Sequence, residues 1–366
     1  MISEGVVSMV SYKIFPENLP NEGVMFVDHQ KDGRSGHMSH ALVEYKKGHV
    51  MAFYSDCSGK RNGGHNGFGW IEYKRSADGA RTWDAGRKLD YTWDAFLNEP
   101  FTVSCEKAVS PAENEVVVFC TRHTNANGWD PFIAPVALKS TDGGETWSQP
   151  IFITEHCGRI YDAICRNGMI YVLMLHGREY AICDESYFYG LYESRDGGMS
   201  FELVSRLPCT KMGSAYGAME TTERGELMVW IYNRKDEYHL DCFISADMGR
   251  TWTEGGISFC AKRIRNPQIA RVRGGYILHG RSGCETKELP MQFVLYTSED
   301  GIHWDEGIYV MEGNQGYGCY SNNLVLEDED GSQRVLIQAS ASYDKARVNV
   351  RHWMMEISEP PLCKGR

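Results

Sequence analysis

Arginine, histidine and tyrosine recur at matching points along this chain, and together they could handle an acidic sugar. When five internal repeats are set against one another, one class of loop starts with Tyr54 and Asp56, Arg122 and His123, His176 and Arg178, Asn233 and Arg234, and Arg281. The strands expected to be innermost start with His37 and His40, Glu106, Tyr161 and Asp162, Tyr216, Asn266 and Gln268, and Tyr320. Arginine makes bidentate hydrogen bonds to a carboxylate, and histidine and tyrosine can move protons. β-Elimination at a uronic acid asks for this set. Neutralising the carboxylate acidifies the C5 proton, a base removes it, and an acid protonates the departing oxygen. Arg281 with Arg122 is the expected clamp, His65 or His123 the base or charge neutraliser, and Tyr216 or Tyr320 the acid. His40, Tyr161, Arg178 and Asn266 are expected to contact the substrate. His37, His40 and His65 could share a metal, but their spacing is a weak signal. The expected site uses neither metal nor cofactor, and the chain has no phosphate-cradling glycine loop, serine elbow or dinucleotide fingerprint.

Five short turns fix the elements that must hold these residues. They run Ser76 to Trp83, Ser140 to Trp147, Ser194 to Phe201, Ser245 to Trp252 and Ser298 to Trp304, on the pattern Ser-x-Asp-x-Gly-x-Thr-Trp. Their serines lie 64, 54, 51 and 53 residues apart. A period of that size marks an array of units too small to bury their own apolar faces. Asp caps backbone N–H groups, Gly accepts a positive φ, and the hydroxyl closes the turn. Five equivalent carboxylates are read as scaffold, because catalysis needs one constellation rather than five.

Between the turns, short apolar runs alternate with loops, as in Ala41–Tyr45, His49–Tyr54 and Trp70–Arg75. Each turn then falls between the third and fourth strands of a four-stranded unit. The expected fold is all-β: a six-bladed β-propeller, with seven blades the alternative. It forms a single domain over residues 1–366 with little helix. A last unit without a turn follows Tyr320, and the segment around Val7–Phe15 is expected to supply its missing strand and so remove a sheet edge.

Composition narrows the partners. A net charge of −11 argues against nucleic acid or an anionic membrane, and obliges an acidic ligand to find a locally positive pocket. No apolar run is long enough to span a bilayer. The twelve cysteines lack paired spacing and read as buried thiols. With no basic, apolar leader at Met1–Ser8, a cytoplasmic location is expected.

The turn pattern resembles the Asp box of sialidases and related propellers, a resemblance that covers nearly the whole chain as architecture. Two short stretches extend it to chemistry. Asn266 to Ser282 resembles the sialidase stretch ending in Arg-Ser, which makes Arg281 a carboxylate-clamping arginine. Tyr320-Ser321-Asn322-Asn323-Leu324 resembles the stretch that carries the nucleophilic tyrosine. Elsewhere the pattern breaks. Met38 stands where the first triad arginine is expected and Pro267 where the tyrosine-activating glutamate belongs. Near the acid/base aspartate the chain offers only His65, with Asp56 the one carboxylate of that loop. An unassisted tyrosine, with a pKa of about 10, is a poor nucleophile at neutral pH. Sialidase-like propellers also include polysaccharide lyases with His, Tyr and Arg at the funnel, such as ulvan lyases. The first expectation is therefore a lyase on a uronate-containing oligosaccharide. A sialidase-type retaining hydrolase using Tyr320 is the second, and a glycan-binding propeller without catalysis the third. Trp70, Trp129 and Tyr189 could stack on sugar, with core packing the expected role of Trp70.

Overall fold

The computed structural model describes residues 11–14, 23–36, 40–58, 68–124, 132–282, 291–314, 320–344 and 347–358. His37, Met38, His65 and Trp129 lie outside the described residues. Six antiparallel sheets, five of them four-stranded, follow one another along the chain. Their innermost strands are Ala41–Lys46, Phe101–Val109, Gly158–Arg166, Ser214–Thr221, Arg265–Val272 and Ser321–Glu327. Each of these strands packs against the inner strands of both neighbours, and the sixth returns to the first. Six blades therefore close the ring, and seven are excluded.

The sixth blade takes its outer strand from the start of the chain. Ser11–Ile14 pairs antiparallel with Met355–Ser358, and Val24–Val27 pairs further along the same twelve-residue strand, Arg347–Ser358. Closure is thus shared by two short N-terminal segments. Residues 7–10 and 15 of the expected closing strand lie outside the described residues.

The five repeated turns sit where the third strand of each blade ends, opposite the funnel mouth. In the second, Ser140 Oγ donates to Asp142 Oδ1 at 2.8 Å, the Glu145 and Thr146 N–H groups donate to the same oxygen, and Thr146 Oγ1 donates to Oδ2 at 2.6 Å. These bonds, led by those from Thr146, hold the Asp142 carboxyl down at about 2. In the fifth turn, one residue shorter, the imidazole of His303 meets Asp300 Oδ2 at 2.7 Å in place of the threonine hydroxyl. Each turn also latches onto the preceding blade. Trp147 Nε1 donates to Tyr73 Oη at 3.3 Å and Trp252 Nε1 to Ser205 Oγ at 2.8 Å, while Trp230 Nε1 of the fourth blade donates to the Gly301 carbonyl of the fifth turn at 2.7 Å. Apolar cores accordingly lie between blades, as where Phe53 and Tyr73 of blade 1 meet Val116 and Val136 of blade 2.

The longer first spacing has a cause that periodicity did not give. A helix, Asp90–Asn98, follows the first blade's outer strand and buries Thr92 and Ala95. Thr92 Oγ1 accepts the Ile71 N–H at 2.9 Å, which pins the helix to that blade. Among the described residues no helix is long and apolar enough to cross a membrane. The described cysteines are free thiols.

Candidate functional site

Inner strands begin at the funnel mouth, so the first side chains of each strand converge on the axis. Glu106, Arg159, Tyr161, Tyr216, Gly217, Asn266, Pro267, Gln268, Tyr320 and Ser321 line one cavity there. Four of the sequence-selected residues, Tyr161, Tyr216, Asn266 and Tyr320, therefore meet. Arg281, buried on the adjoining strand of blade 5, stands beside them with its guanidinium 5.9 Å from the Tyr320 ring centre.

The central feature is an ion pair that the sequence reading missed. Arg159 donates from Nε to Glu106 Oε1 at 2.9 Å and from Nη2 to Oε2 at 3.2 Å, with both residues buried. Its guanidinium lies 5.1 Å from the Tyr161 ring centre and 5.7 Å from that of Tyr216, inside an aromatic cage. Although burial works against its charge, Glu106 and the surrounding phenols keep Arg159 protonated. Burial, and after it the neighbouring Tyr320, push the Tyr216 phenol above its ordinary value, against the opposing pull of Arg159, Arg281 and Arg265. The signal for Arg159 was present: it lies at the start of the third inner strand, directly after Gly158 and two residues before Tyr161, much as Arg265 opens the fifth.

A polar plug floors the funnel. Lys107 Nζ lies 3.1 Å from Asp162 Oδ1 and donates to Asn322 Oδ1 at 3.2 Å. Asn322 Nδ2 in turn donates to the carbonyls of His40 at 2.7 Å and Glu106 at 3.1 Å. Burial pushes the Asp162 carboxyl up, and Lys107 with the Met219 N–H opposes it. Blades 1, 2, 3, 4 and 6 are joined there.

The other sequence-selected residues stand elsewhere. His40 is fully buried between blades 1 and 6, 2.9 Å from Ser340 Oγ and 3.0 Å from Gln338 Nε2, and desolvation lowers it to about 3. It is a neutral joint between blades and lines no part of the cavity. His123 is fully buried beside Phe132, with neither ring nitrogen partnered among the described residues. Burial, then Arg159, lowers it to about 3. Arg122, the preceding residue, faces the opposite side of its strand, donates to the Ala134 carbonyl at 2.7 Å and packs on Phe101 and Phe152. Arg178 is exposed and outside the cavity lining. Asp56 is held by Arg34 rather than pointing to a tyrosine. Trp70 packs on Trp93 and Phe96, and Tyr189 is buried with its hydroxyl on the Ala215 carbonyl, so neither forms a sugar-facing wall. Among the described residues no three His, Cys, Asp or Glu side chains are grouped to hold a metal ion.

Unsatisfied polar atoms collect at blade 5. Arg281 Nε, Arg265 Nε, Asn266 Oδ1, Gln268 Oε1, Ser282 Oγ and Gln292 Oε1 are all buried without a hydrogen-bond partner among the described residues. Arg265 does keep Glu237 at 3.3 Å as a charge partner. Native proteins leave few such atoms, and each costs about 1–3 kcal/mol. Both donors and acceptors are present at one end of one blade.

Comparison with known proteins agrees with this architecture. Residues 138–149 match the BNR/Asp-box repeat family. A Dyadobacter fermentans protein of unknown function superposes with a TM-score of 0.66 at 13% identity, covering 95% of this chain and 99% of that one. The Hadza microbial sialidase Hz136 gives 0.66 at 17%, covering 90% of this chain and 68% of the sialidase. A Trypanosoma rangeli sialidase in complex with sialic acid gives 0.58 at 13%, covering 94% of this chain but 59% of that protein. No curated protein matches the sequence. The chain has the sialidase-like, Asp-box fold of six blades.

Proposed function

We propose that the funnel binds the carboxylate of an acidic sugar at Arg281 and that the protein cleaves the neighbouring glycosidic bond by β-elimination. The observation that carries this reading is the buried Nε–H of Arg281, without a partner among the described residues, next to Tyr320. Arg159 is already neutralised by Glu106 and Arg265 faces Glu237, so Arg281 is the cation of this group that lacks a counter-charge in the described site. A protein of net charge −11 that buries such a cation offers an anion a specific place.

With the carboxylate on Arg281, the phenolate form of Tyr320 takes the C5 proton and becomes a neutral phenol, while Arg281 stabilises the negative charge that develops. The electron pair forms the C4–C5 double bond and the C4–O bond breaks. Tyr216, whose phenol burial keeps protonated, supplies the proton to the leaving oxygen. His123, buried and neutral outside the cavity lining, has no part in this scheme. No cofactor is invoked, and the cytoplasm, where imported oligosaccharide fragments would be met, is the proposed location.

One observation favours hydrolysis instead: Glu106 lines the same cavity as Tyr320, as a tyrosine-activating carboxylate must. Against it, both Glu106 oxygens accept hydrogen bonds from Arg159. The test is incubation of the purified protein with uronate-containing oligosaccharides while the ultraviolet absorbance of the new double bond is followed, with a sialoside-release assay alongside. A rise in absorbance supports elimination. Release of sialic acid without that rise makes the protein a hydrolase, and silence in both leaves a binding module.

A further inference from the structure

We propose that Asn266 and Gln268 recognise ring hydroxyls of the ligand, so that the site selects a polyhydroxylated acid over a bare anion. The inference rests on Arg281 holding the acid group, as proposed above. Asn266 has φ +52, the left-handed region that non-glycine residues rarely enter. It also precedes Pro267, which favours an extended conformation in the residue before it. Such strain persists only where surrounding structure over-determines it.

The strain has a geometric result. Strand pairing slips between Arg265, opposite Arg281, and Gln268, opposite His279. In a regular strand alternate residues face opposite sides. Here the bulge turns three consecutive residues, Asn266, Pro267 and Gln268, into the lining of one cavity. Asn266 is 6% exposed, and its Oδ1 and the Oε1 of Gln268 have no donor among the described residues. A strained bulge therefore puts two amide side chains, each with a carbonyl oxygen that has no donor among the described residues, on the lining of one cavity, next to the strand that carries Arg281. A sulfate, phosphate or simple carboxylate would satisfy the guanidinium and leave both amide oxygens without donors. A sugar acid satisfies all three, its carboxylate accepting from Arg281 and its hydroxyls donating to Asn266 and Gln268.

The experiment compares glucuronate with cyclohexanecarboxylate, a ring acid without hydroxyls, by titration calorimetry on the full chain. Asn266→Gly removes the acceptor while keeping a residue that accepts positive φ. Gln268→Met removes the other acceptor at similar volume. The unaltered protein is expected to prefer glucuronate, and each variant to lose about tenfold in affinity for it. Binding of cyclohexanecarboxylate is expected to stay unchanged, and the thermal midpoint to hold or rise, since each variant removes an unsatisfied buried acceptor. A preference for glucuronate that survives in both folded variants, or none in the unaltered protein, overturns the inference. Arg281→Met separates the two readings: it should abolish binding of both acids, and unchanged binding there overturns the clamp itself. If neither acid binds the unaltered protein, both readings fall.

Discussion

The two ends of the blades treat polar groups in opposite ways. At the turn end, Ser140, Asp142 and Thr146 satisfy one another, and the same closed set recurs in four further copies with small changes. At the mouth, blade 5 buries donors and acceptors side by side that have no partners among the described residues. A group repeated five times and fully bonded has nothing left to offer a ligand. Groups present once and left unbonded cost stability, and a ligand can recover that cost. The contrast sets a closed scaffold at one end against the proposed site at the other, although the turns are the more conspicuous sequence.

Substitutions at the two ends should break activity and stability separately. The largest effect is expected from Arg281→Met, with catalytic rate down a hundred- to a thousandfold, about 3–4 kcal/mol of transition-state stabilisation. Urea unfolding should show no loss of stability, and a gain is expected because an unpaired buried donor is removed. At the other end, Gly249→Ala would place a Cβ 1.9 Å from Leu191 Cδ2 at φ +87. It should lower the unfolding free energy by about 2–3 kcal/mol while the rate per folded molecule holds. Activity loss in proportion to neither end would dissolve the division.

Acid sharpens the comparison. His40, His123 and His279, buried near the mouth and the blade joints, are lowered to about 3, chiefly by desolvation. Unfolded, each would titrate near 6.5, so the unfolded chain binds more protons between the two values. Their contribution to stability is complete above about pH 6.5 and is lost as pH falls towards 3. The turn aspartates, such as Asp142 at about 2, contribute fully above about pH 4 and fail only as pH falls through about 2. Stability measured against pH should therefore begin to fall near 6.5, before any turn is protonated. His279→Gln should reduce that slope by one proton, about 1.4 kcal/mol per pH unit. An unchanged slope would remove His279 from the titrating set.

The smallest effect concerns Ala80, which holds φ +67 where the second, third and fourth turns have glycine. Ala80→Gly should raise stability by less than about 1 kcal/mol, because the relief of strain is offset by chain entropy. A loss would mean that the buried Ala80 methyl matters more than its backbone.

The sequence made the blade order and the turns readable because Ser76 to Trp83 and its four counterparts are made by contacts within a few residues. The helix Asp90–Asn98 was not readable, since a single insertion has no period to betray it. Among the site residues, Arg122 and His123 were both expected at the funnel, yet adjacent residues of a strand face opposite sides and neither lines the cavity. His40 was lost to closure, which brings Gln338 and Ser340 against it across some three hundred residues of chain. Arg159 was overlooked because its partner, Glu106, belongs to another blade.

Composition, period and local turn chemistry thus determined by themselves that this chain repeats as four-stranded units, since hydrogen bonds such as Thr146 to Asp142 need no distant partner. Only the tertiary structure decided the number of blades, the pairing of Arg159 with Glu106, and the bulge that turns Asn266 and Gln268 to one cavity. Those features depend on strands from separate blades meeting on an axis, and sequence spacing alone does not encode which face of each strand will meet it.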